Sequence, residues 1–156
     1  IADLVNAPDG GFAGAVTVAA IVGGGAQRNS RRWYRRLRKP AFNPPDWIFA
    51  PVWTGLYGLM AASAYRIWRA PPSRARSRAI ALWGAQLAAN AAWTPLFFGA
   101  RRPAWALADL ALMLAAIGGY ALEARKVDRP AAWMMAPYAA WSTFAGAVNE
   151  EIVRLN

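Results

Sequence analysis

The side chains best suited to chemistry in this sequence are aromatic and amide groups placed at helical spacing. Trp53 and Tyr57 lie four residues apart, and Tyr138 and Trp141 lie three apart, so each pair would share one helix face. Broad aromatic faces with a few polar groups are what a flat conjugated ligand needs. The same side chains also fill wide gaps between helices of small residues. On residue types alone, this packing interpretation is the favoured one.

The chain contains no His and no Cys among its 156 residues. This excludes imidazole and thiolate metal sites, the usual haem ligands and a cysteine nucleophile, so neither a metal nor a cofactor is expected. The net charge is +10, which would suit nucleic acid. The arginines, however, flank apolar segments, where such residues meet lipid headgroups and orient a protein. We therefore expect a membrane partner and no nucleic acid.

Five apolar segments separated by basic joints dominate the chain, and they cover residues 10–26, 47–65, 79–100, 104–122 and 130–148. A helix needs roughly 20 apolar residues to cross the hydrocarbon of a bilayer, and helices satisfy their own backbone there. The sequence therefore predicts an all-α membrane protein, a single five-transmembrane-helix bundle over residues 1–156 with a long loop at 27–46. Basic residues are divided almost evenly between the two sides, so membrane orientation stays open.

The third segment carries two opposed stripes, one small and one polar. They consist of Gly84, Ala88 and Ala92, and of Gln86, Asn90 and Thr94. Small residues allow membrane helices to approach closely. Either both stripes pack inside one bundle, or the small stripe forms a dimer face and the polar stripe faces a pocket.

Asp109 is the acidic residue that lies deep in a predicted span. An ionisable group at such depth is costly and is a functional candidate by default. Without a basic partner nearby in sequence, we favour a structural bond to a neighbouring helix. Small proton-coupled exporters usually centre on an acidic residue in an early span, whereas Asp109 lies in the fourth, so an exporter is the third-ranked function.

The segment from Trp33 to Thr54 has a distinctive pattern and reads WYRRLRKPAFNPPDWIFAPVWT. It resembles the signature W-Y-x-x-L-x-K-P-x-x-x-P-P-x-W-x-F-x-P-V-W-T of the tryptophan-rich sensory protein (TspO/MBR) family, which includes the translocator proteins, or peripheral benzodiazepine receptors. The resemblance continues in order through Asn90-x-x-Trp93, Phe97-Phe98 and Pro137-Tyr138-x-x-Trp141-x-x-Phe144-Ala145-x-x-x-Asn149. It thus extends over the whole chain.

The resemblance implies a five-helix membrane bundle, usually a homodimer, whose pocket lies beneath the first loop. Pockets of this family bind porphyrins, sterols in some members, and synthetic ligands. Pro40, Pro44 and Pro45 exclude a continuous helix from the loop. Its aromatic residues either pack on the mouth of the bundle as a lid or lie at headgroup depth as an interfacial belt. We favour the lid for Trp33 and Tyr34, whereas Trp47 fits the belt at least as well. The expected ligand-binding residues are Trp33, Tyr34, Pro44, Trp53, Tyr57, Gln86, Asn90, Trp93, Tyr138, Trp141, Phe144 and Ala145.

The function implied by the resemblance is porphyrin binding by a sensor or transport protein, integral to a bacterial envelope. Whether that is the inner or the outer membrane stays open. The alternative is an enzyme that degrades porphyrin in light, with Trp53 and Trp141 as the catalytic residues. Lipid is an expected partner. Sterol binding is weakened because Ile152 replaces an expected aromatic residue. The sequence does not distinguish which loop arginine meets a porphyrin propionate.

Overall fold

A computed structural model describes residues 11–156, without the side chains of 23–29 and 31. All regular structure in this part of the chain is helical. Its elements, in order, are α1 (Gly11–Asn29), α2 (Arg31–Arg36), a 3-10 turn (Asp46–Ile48), α3 (Phe49–Arg69), α4 (Arg74–Thr94), a π-helical turn (Pro95–Gly99), α5 (Pro103–Ala124), α6 (Arg129–Met134) and α7 (Ala136–Leu155). The all-α prediction is confirmed.

Five of these helices, α1, α3, α4, α5 and α7, are 19 to 22 residues long. Each overlaps one of the five apolar segments predicted from the sequence. By length and composition, α5 is the one helix within residues 11–156 that is apolar enough to cross a membrane. That all five helices cross stays a prediction.

Capping residues and prolines set the helix ends, which differ from the ends of the apolar segments. Ser73 caps α4, because its Oγ accepts a hydrogen bond from the backbone N–H of Arg76 at 3.1 Å. The helix therefore starts five residues before the predicted apolar segment. The last predicted segment, 130–148, is divided at Met135 between α6 and α7. Pro137 explains the break, since proline has no N–H and its ring opposes the preceding turn.

The bundle is organised around α5, which packs most extensively on α4 and α7. Glycines allow the close approach at two points. A Cβ at Gly119 would lie 3.2 Å from Leu82 of α4, and one at Gly146 would lie 3.1 Å from Leu110 of α5. The core near the middle of the bundle contains fully buried Met60, Ala64, Ile67, Tyr120 and Tyr138.

A buried hydrogen-bond network joins three helices at the end of the core. Ser63 of α3 donates to the carbonyl of Ala131 on α6 at 2.7 Å. Because that uses its one proton, Tyr120 of α5 donates to Ser63 Oγ, at 2.6 Å. Satisfied networks of this kind hold elements in one relative position.

A second, smaller core lies at the opposite end of α5. It contains Phe97, Phe98, Ala106 and Ile152. The segment between α2 and α3, residues 37–48, crosses this end of the bundle. We call residues 30–48 the lid. Its predicted lack of continuous helix is correct for 37–45, whereas α2 adds a short helix at Arg31–Arg36.

Two hydrogen bonds join the lid to Asn156, the residue that follows α7. The backbone N–H of Arg38 donates to Asn156 Oδ1, and Asn156 Nδ2 donates to the carbonyl of Arg38, both at 3.0 Å. Asn156 Nδ2 also donates to the carbonyl of Ile152. One side chain thereby joins the lid to the end of α7.

Candidate functional site

A cavity of about 670 Å³ lies beneath the lid, between α3, α4, α5 and α7. Its volume falls within the range of about 300–1,000 Å³ that small-molecule pockets occupy. The cavity-facing side chains are mostly aromatic and apolar. They include Phe49, Trp53, Tyr57, Trp93, Phe97, Phe98, Leu110, Met113, Trp141, Phe144 and Ile152.

The aromatic walls come from two sides of the cavity. On α3, Trp53 and Tyr57 lie with their ring centroids 5.3 Å apart and their planes inclined by 33°. On α7, Trp141 and Phe144 are 5.7 Å apart at 45°. Both pairs have helical spacing. The pair on α3 is the predicted one, whereas on α7 the sequence paired Trp141 with Tyr138, which is buried and does not line the cavity. The space between the two observed pairs is therefore flanked by broad aromatic surfaces.

A chain of hydrogen bonds crosses the bundle at the inner end of the cavity. Tyr57 Oη donates to Asn90 Oδ1 at 2.9 Å, and Asn90 Nδ2 donates to Tyr138 Oη at 2.9 Å. Tyr138 in turn donates to the sulfur of Met113 at 3.0 Å. The chain links α3, α4, α7 and α5. Asn90 is thus held in one orientation by partners on both sides of its amide.

Two hydrogen-bond donors on the cavity wall have no partner among the described residues. They are Trp93 Nε1 and Ser142 Oγ. Buried polar groups are normally paired, so an unpaired one in a cavity wall calls for an explanation. Both atoms are buried within the wall, so each side chain must rotate before its donor reaches an oxygen atom of a ligand. Neither is used by the packing of the bundle.

The rim of the cavity carries polar residues of the lid. Arg35, Asn43 and Asp46 all line it. The side chains of Arg28 and Arg31 lie outside the described residues. Among the remaining four arginines of the loop, Arg35 is the one on the cavity wall, and it is exposed. Of the loop arginines whose side chains the structure describes, Arg35 is therefore the candidate partner for an anionic group of a ligand.

Tyr34 fixes the lid against the bundle. The centroid of its ring is 5.4 Å from that of Phe98. Lys39 Nζ, also in the lid, lies 4.2 Å from the centre of the Tyr34 ring. The Tyr34 hydroxyl donates to Asn43 Oδ1 at 3.3 Å. Burial raises the pKa of Tyr34, the Asn43 bond lowers it, and the Asp46 carboxylate raises it, with a net rise. Phe42 adds a contact to α7, with its centroid 6.3 Å from that of Phe144.

The structure brings nine of the twelve predicted ligand-binding residues to the cavity wall. They are Tyr34, Pro44, Trp53, Tyr57, Asn90, Trp93, Trp141, Phe144 and Ala145. The other three lie elsewhere. Trp33 packs edge-on against Phe97, with centroids 5.7 Å apart. Tyr138 is fully buried behind Asn90.

Gln86 is the third predicted residue that does not line the cavity. It lies one turn below Asn90 and is fully buried. Both of its amide atoms lack a hydrogen-bond partner among the described residues. The two residues share a helix face, as predicted, but Asn90 stands between Gln86 and the cavity along that face.

Sequence reasoning missed several cavity residues, of which Ser142 is the most informative. Ser142 is four residues after Tyr138, so helical spacing placed it on the inward face. Leu110 and Met113 were missed because the rotation of α5 is set by packing. Ile152, which weakens the sterol prediction, lies at the lid end of the cavity and is 1% exposed.

Asp109 does not make the interhelical bond that we predicted for it. Neither of its carboxylate oxygens hydrogen-bonds to a described residue, and Oδ2 is buried. Within residues 11–156, no group of three His, Cys, Asp or Glu side chains lies close enough to hold a metal ion.

The small stripe of α4 faces outwards. Gly84 and Ala88 are exposed, and Ala92 is half-buried. A Cβ at Gly84 would meet no atom within 4 Å. Gln86 and Asn90 face the interior, so the two stripes are opposed as predicted. Among the described residues, none covers Gly84 or Ala88, so this part of the stripe is accessible to another molecule.

Comparison with known proteins matches residues 12–155 to the model of the TspO/MBR family. The chain belongs to the TspO/MBR family. All the cavity residues lie within the matched range, including the lid and the end of α7. The predicted membership is therefore confirmed.

Relatives in the TspO/MBR family come from animals and bacteria. The translocator protein of Bos taurus is 42% identical over 120 residues, which are 76% of this chain and 71% of that protein. The tryptophan-rich sensory protein of Cereibacter sphaeroides is 39% identical over 85% of this chain and 82% of its own. Protein CrtK of Rhodobacter capsulatus is 38% identical over 80% and 78%.

Proposed function

We propose that this protein is a membrane-embedded porphyrin receptor that senses or transports tetrapyrroles held in the cavity beneath the lid. The observation that carries the proposal is the pairing of facing aromatic walls with unpaired donors. Trp53 and Trp141 offer flat surfaces to a conjugated macrocycle. Trp93 Nε1 and Ser142 Oγ are unpaired among the described residues and can donate to its oxygen atoms once their side chains rotate towards the cavity.

The carboxylates of a porphyrin also need a place near water. Arg35 lies at the rim of the cavity, and guanidinium is a good partner for a carboxylate. In this arrangement the macrocycle lies between α3 and α7, and one propionate reaches the rim. The lid then covers the ligand, with Tyr34 and Phe42 packed on the bundle.

The membrane part of the proposal is that all five long helices cross the bilayer and that two copies associate through α4. Four polar side chains of α4 and α7 support it because they turn inwards. Gln86, Asn90, Ser142 and Asn149 are buried, whereas Ile21 and Leu112 are exposed. An inward polar lining with apolar outer faces is the arrangement that a bilayer requires. The exposed Gly84 and Ala88 support close contact with a second copy.

Porphyrin breakdown in light is the second candidate function. Trp53 and Trp141 both lie on the cavity wall, so a porphyrin bound there would contact both indole rings. Light, dioxygen and a nearby tryptophan are all that this reaction would need from its surroundings. Sterol binding receives no such support, since Ile152 fills the position of the expected aromatic residue.

The test is a titration of the purified protein with protoporphyrin in the dark, followed by tryptophan emission. We expect saturable quenching at micromolar concentrations. Trp53→Phe and Trp141→Phe should each weaken the affinity about fivefold, which corresponds to about 1 kcal/mol of aromatic contact. Trp105→Phe is the matched control, because Trp105 is 62% exposed and lies outside the cavity. It should leave the affinity unchanged.

The absence of saturable quenching would overturn the porphyrin proposal. Illumination of the bound complex then separates the two functions. Loss of the porphyrin absorption band that Trp53→Phe or Trp141→Phe abolishes would establish breakdown. Equal bleaching by the wild type and both variants would leave binding as the function.

A further inference from the structure

A second, shallower space lies on the outer surface, at the end of α5 away from the lid. It is a groove of about 470 Å³ between α5 and the α6–α7 break. Leu114, Gly118 and Leu122 of α5 line one side of it, and Trp133 of α6 lines the other. No atom lies within 4 Å of a Cβ built on Gly118, so the groove is open at that point. The porphyrin cavity shares none of these residues.

The mouth of the groove is positively charged. Arg125 and Arg129 both line it and are exposed. Within the part of the chain that the structure describes, no carboxylate lies within 4.0 Å of either guanidinium. The acidic neighbours are already engaged: Glu123 pairs with Lys126 at 2.9 Å, and Asp128 pairs with Arg66 at 2.8 Å. The groove therefore joins an apolar floor to two arginines that have no carboxylate partner among the described residues.

The dimensions of the groove match one leaflet of a bilayer. From Arg125 to Leu114 the helix rises about 16 Å, at roughly 1.5 Å per residue. Half of a hydrocarbon core of about 30 Å is about 15 Å. Trp133 is 76% exposed beside the two arginines, and tryptophans of membrane proteins concentrate at headgroup depth. The groove thus begins at arginines at headgroup depth and runs along α5 for about the length of one acyl chain.

We propose that this groove binds one anionic phospholipid. Its phosphate group pairs with Arg125 and Arg129, and one acyl chain lies along Gly118 to Leu114. Guanidinium groups bind phosphate oxygens in a bidentate manner. A zwitterionic phospholipid has the same acyl chain, but the two arginines repel the cationic group that is attached to its phosphate. The site therefore selects lipids by headgroup charge.

The experiment uses the full chain in bilayers of phosphatidylcholine that contain a rising fraction of a lipid with a brominated acyl chain. Bromine quenches tryptophan emission on contact. The quenching at Trp133 is obtained as the difference between the wild type and Trp133→Phe. Brominated phosphatidylglycerol should reach half-maximal quenching at a fraction many times lower than brominated phosphatidylcholine. We expect about fivefold for each arginine, the usual contribution of a basic residue near an anionic surface.

Matched variants identify the groups responsible. Arg125→Gln with Arg129→Gln should remove the preference for phosphatidylglycerol. Arg101→Gln with Arg102→Gln should retain it, because that pair is exposed at the other end of α5, beside exposed Trp105. Gly118→Leu should fill the groove and reduce quenching by both lipids. Gly58→Leu, at an equally open helical position on α3, should not.

Equal curves for the two lipids in the wild type would overturn the proposal, as would an unchanged preference in the Arg125/Arg129 double variant. If Gly118→Leu lowered the dimer fraction and left the lipid preference intact, a second copy of the chain would be the occupant. The thermal unfolding midpoint in detergent, measured on each variant, serves as the test of folding. Neither that midpoint nor the lipid titration requires porphyrin, so this proposal and the porphyrin proposal can fail separately.

Discussion

Two buried serines show how differently one hydroxyl behaves with and without a partner. Ser63 bonds both Tyr120 and the carbonyl of Ala131, whereas Ser142 has no partner among the described residues. Ser63→Ala should lower the free energy of unfolding by about 1–3 kcal/mol, because it leaves buried groups unpaired. Ser142→Ala should leave it unchanged or raise it slightly, while weakening protoporphyrin binding.

Thermal unfolding in detergent and the porphyrin titration measure the two effects. A loss of stability in Ser142→Ala as large as that in Ser63→Ala would show that the Ser142 hydroxyl has a structural partner. A loss of porphyrin affinity in Ser63→Ala alone would place the ligand elsewhere.

Tyr34 gives the lid a dependence on alkaline pH. Burial, opposed by the Asn43 hydrogen bond and assisted by Asp46, raises its pKa above the ordinary value of 10.0. The neutral phenol is therefore favoured in the folded lid. Its contribution to stability is fully present below pH 10, and it falls as pH rises from there towards the folded pKa, because the unfolded chain loses the proton first.

The measurement is the unfolding midpoint of the wild type and of Tyr34→Phe at several pH values above and below 10. The difference between the two proteins should be constant below that pH and should shrink above it. A difference that stays constant throughout would contradict the burial of the Tyr34 hydroxyl.

At the scale of the elements, adjacent glycines on α5 separate a tight helix contact from an open groove. A Cβ at Gly119 would lie 3.2 Å from Leu82 of α4, whereas one at Gly118 would meet nothing. Gly119→Leu should therefore push α4 and α5 apart and cost about 1–3 kcal/mol of unfolding free energy. Gly118→Leu is the matched control and should cost far less. Equal losses would mean that helix propensity, and not packing, governs this position.

Helix ends were harder to predict than the helices themselves. Hydropathy located five apolar segments, but apolar residues run on through Met135, where Pro137 divides the last segment. Hydropathy also places the start of α4 at residue 79, because it counts the arginines of the first turn as polar and takes no account of the Ser73 cap. Proline and capping signals, read before hydropathy, would have located both boundaries.

At the scale of the whole molecule, the sequence predicts which site residues share one helix face, but it predicts less well which residues of different helices meet at the cavity. Spacing places Trp53 with Tyr57, and the structure agrees. Which residues of two facing helices reach the same cavity depends on how each helix is rotated, and that is set by packing. Met113 enters the site in this way, as the acceptor for Tyr138. No pattern along the sequence pairs those two residues.

The outward small stripe of α4 leads to a prediction about assembly. The natural sequence has no Cys, so a single introduced cysteine gives a clean readout. Ala88→Cys should form a disulfide-linked dimer in membranes under oxidation, because the small residues around it allow close approach. Ala108→Cys is the control, since Ala108 is also exposed but lies on α5. A monomer from Ala88→Cys, or equal crosslinking by both, would exclude α4 as the dimer face.

The hydrogen bonds between Arg38 and Asn156 provide a way to measure how often the lid opens. An amide proton exchanges with deuterium when its bond opens. The acceptor for the Arg38 amide is a side chain at the far end of the sequence, so this proton exchanges when the lid separates from α7. Deuterium uptake at Arg38 would therefore count the openings of the cavity in the empty protein. A bound ligand that holds the lid closed should slow that uptake, so the uptake rate would report how long the ligand keeps the lid closed.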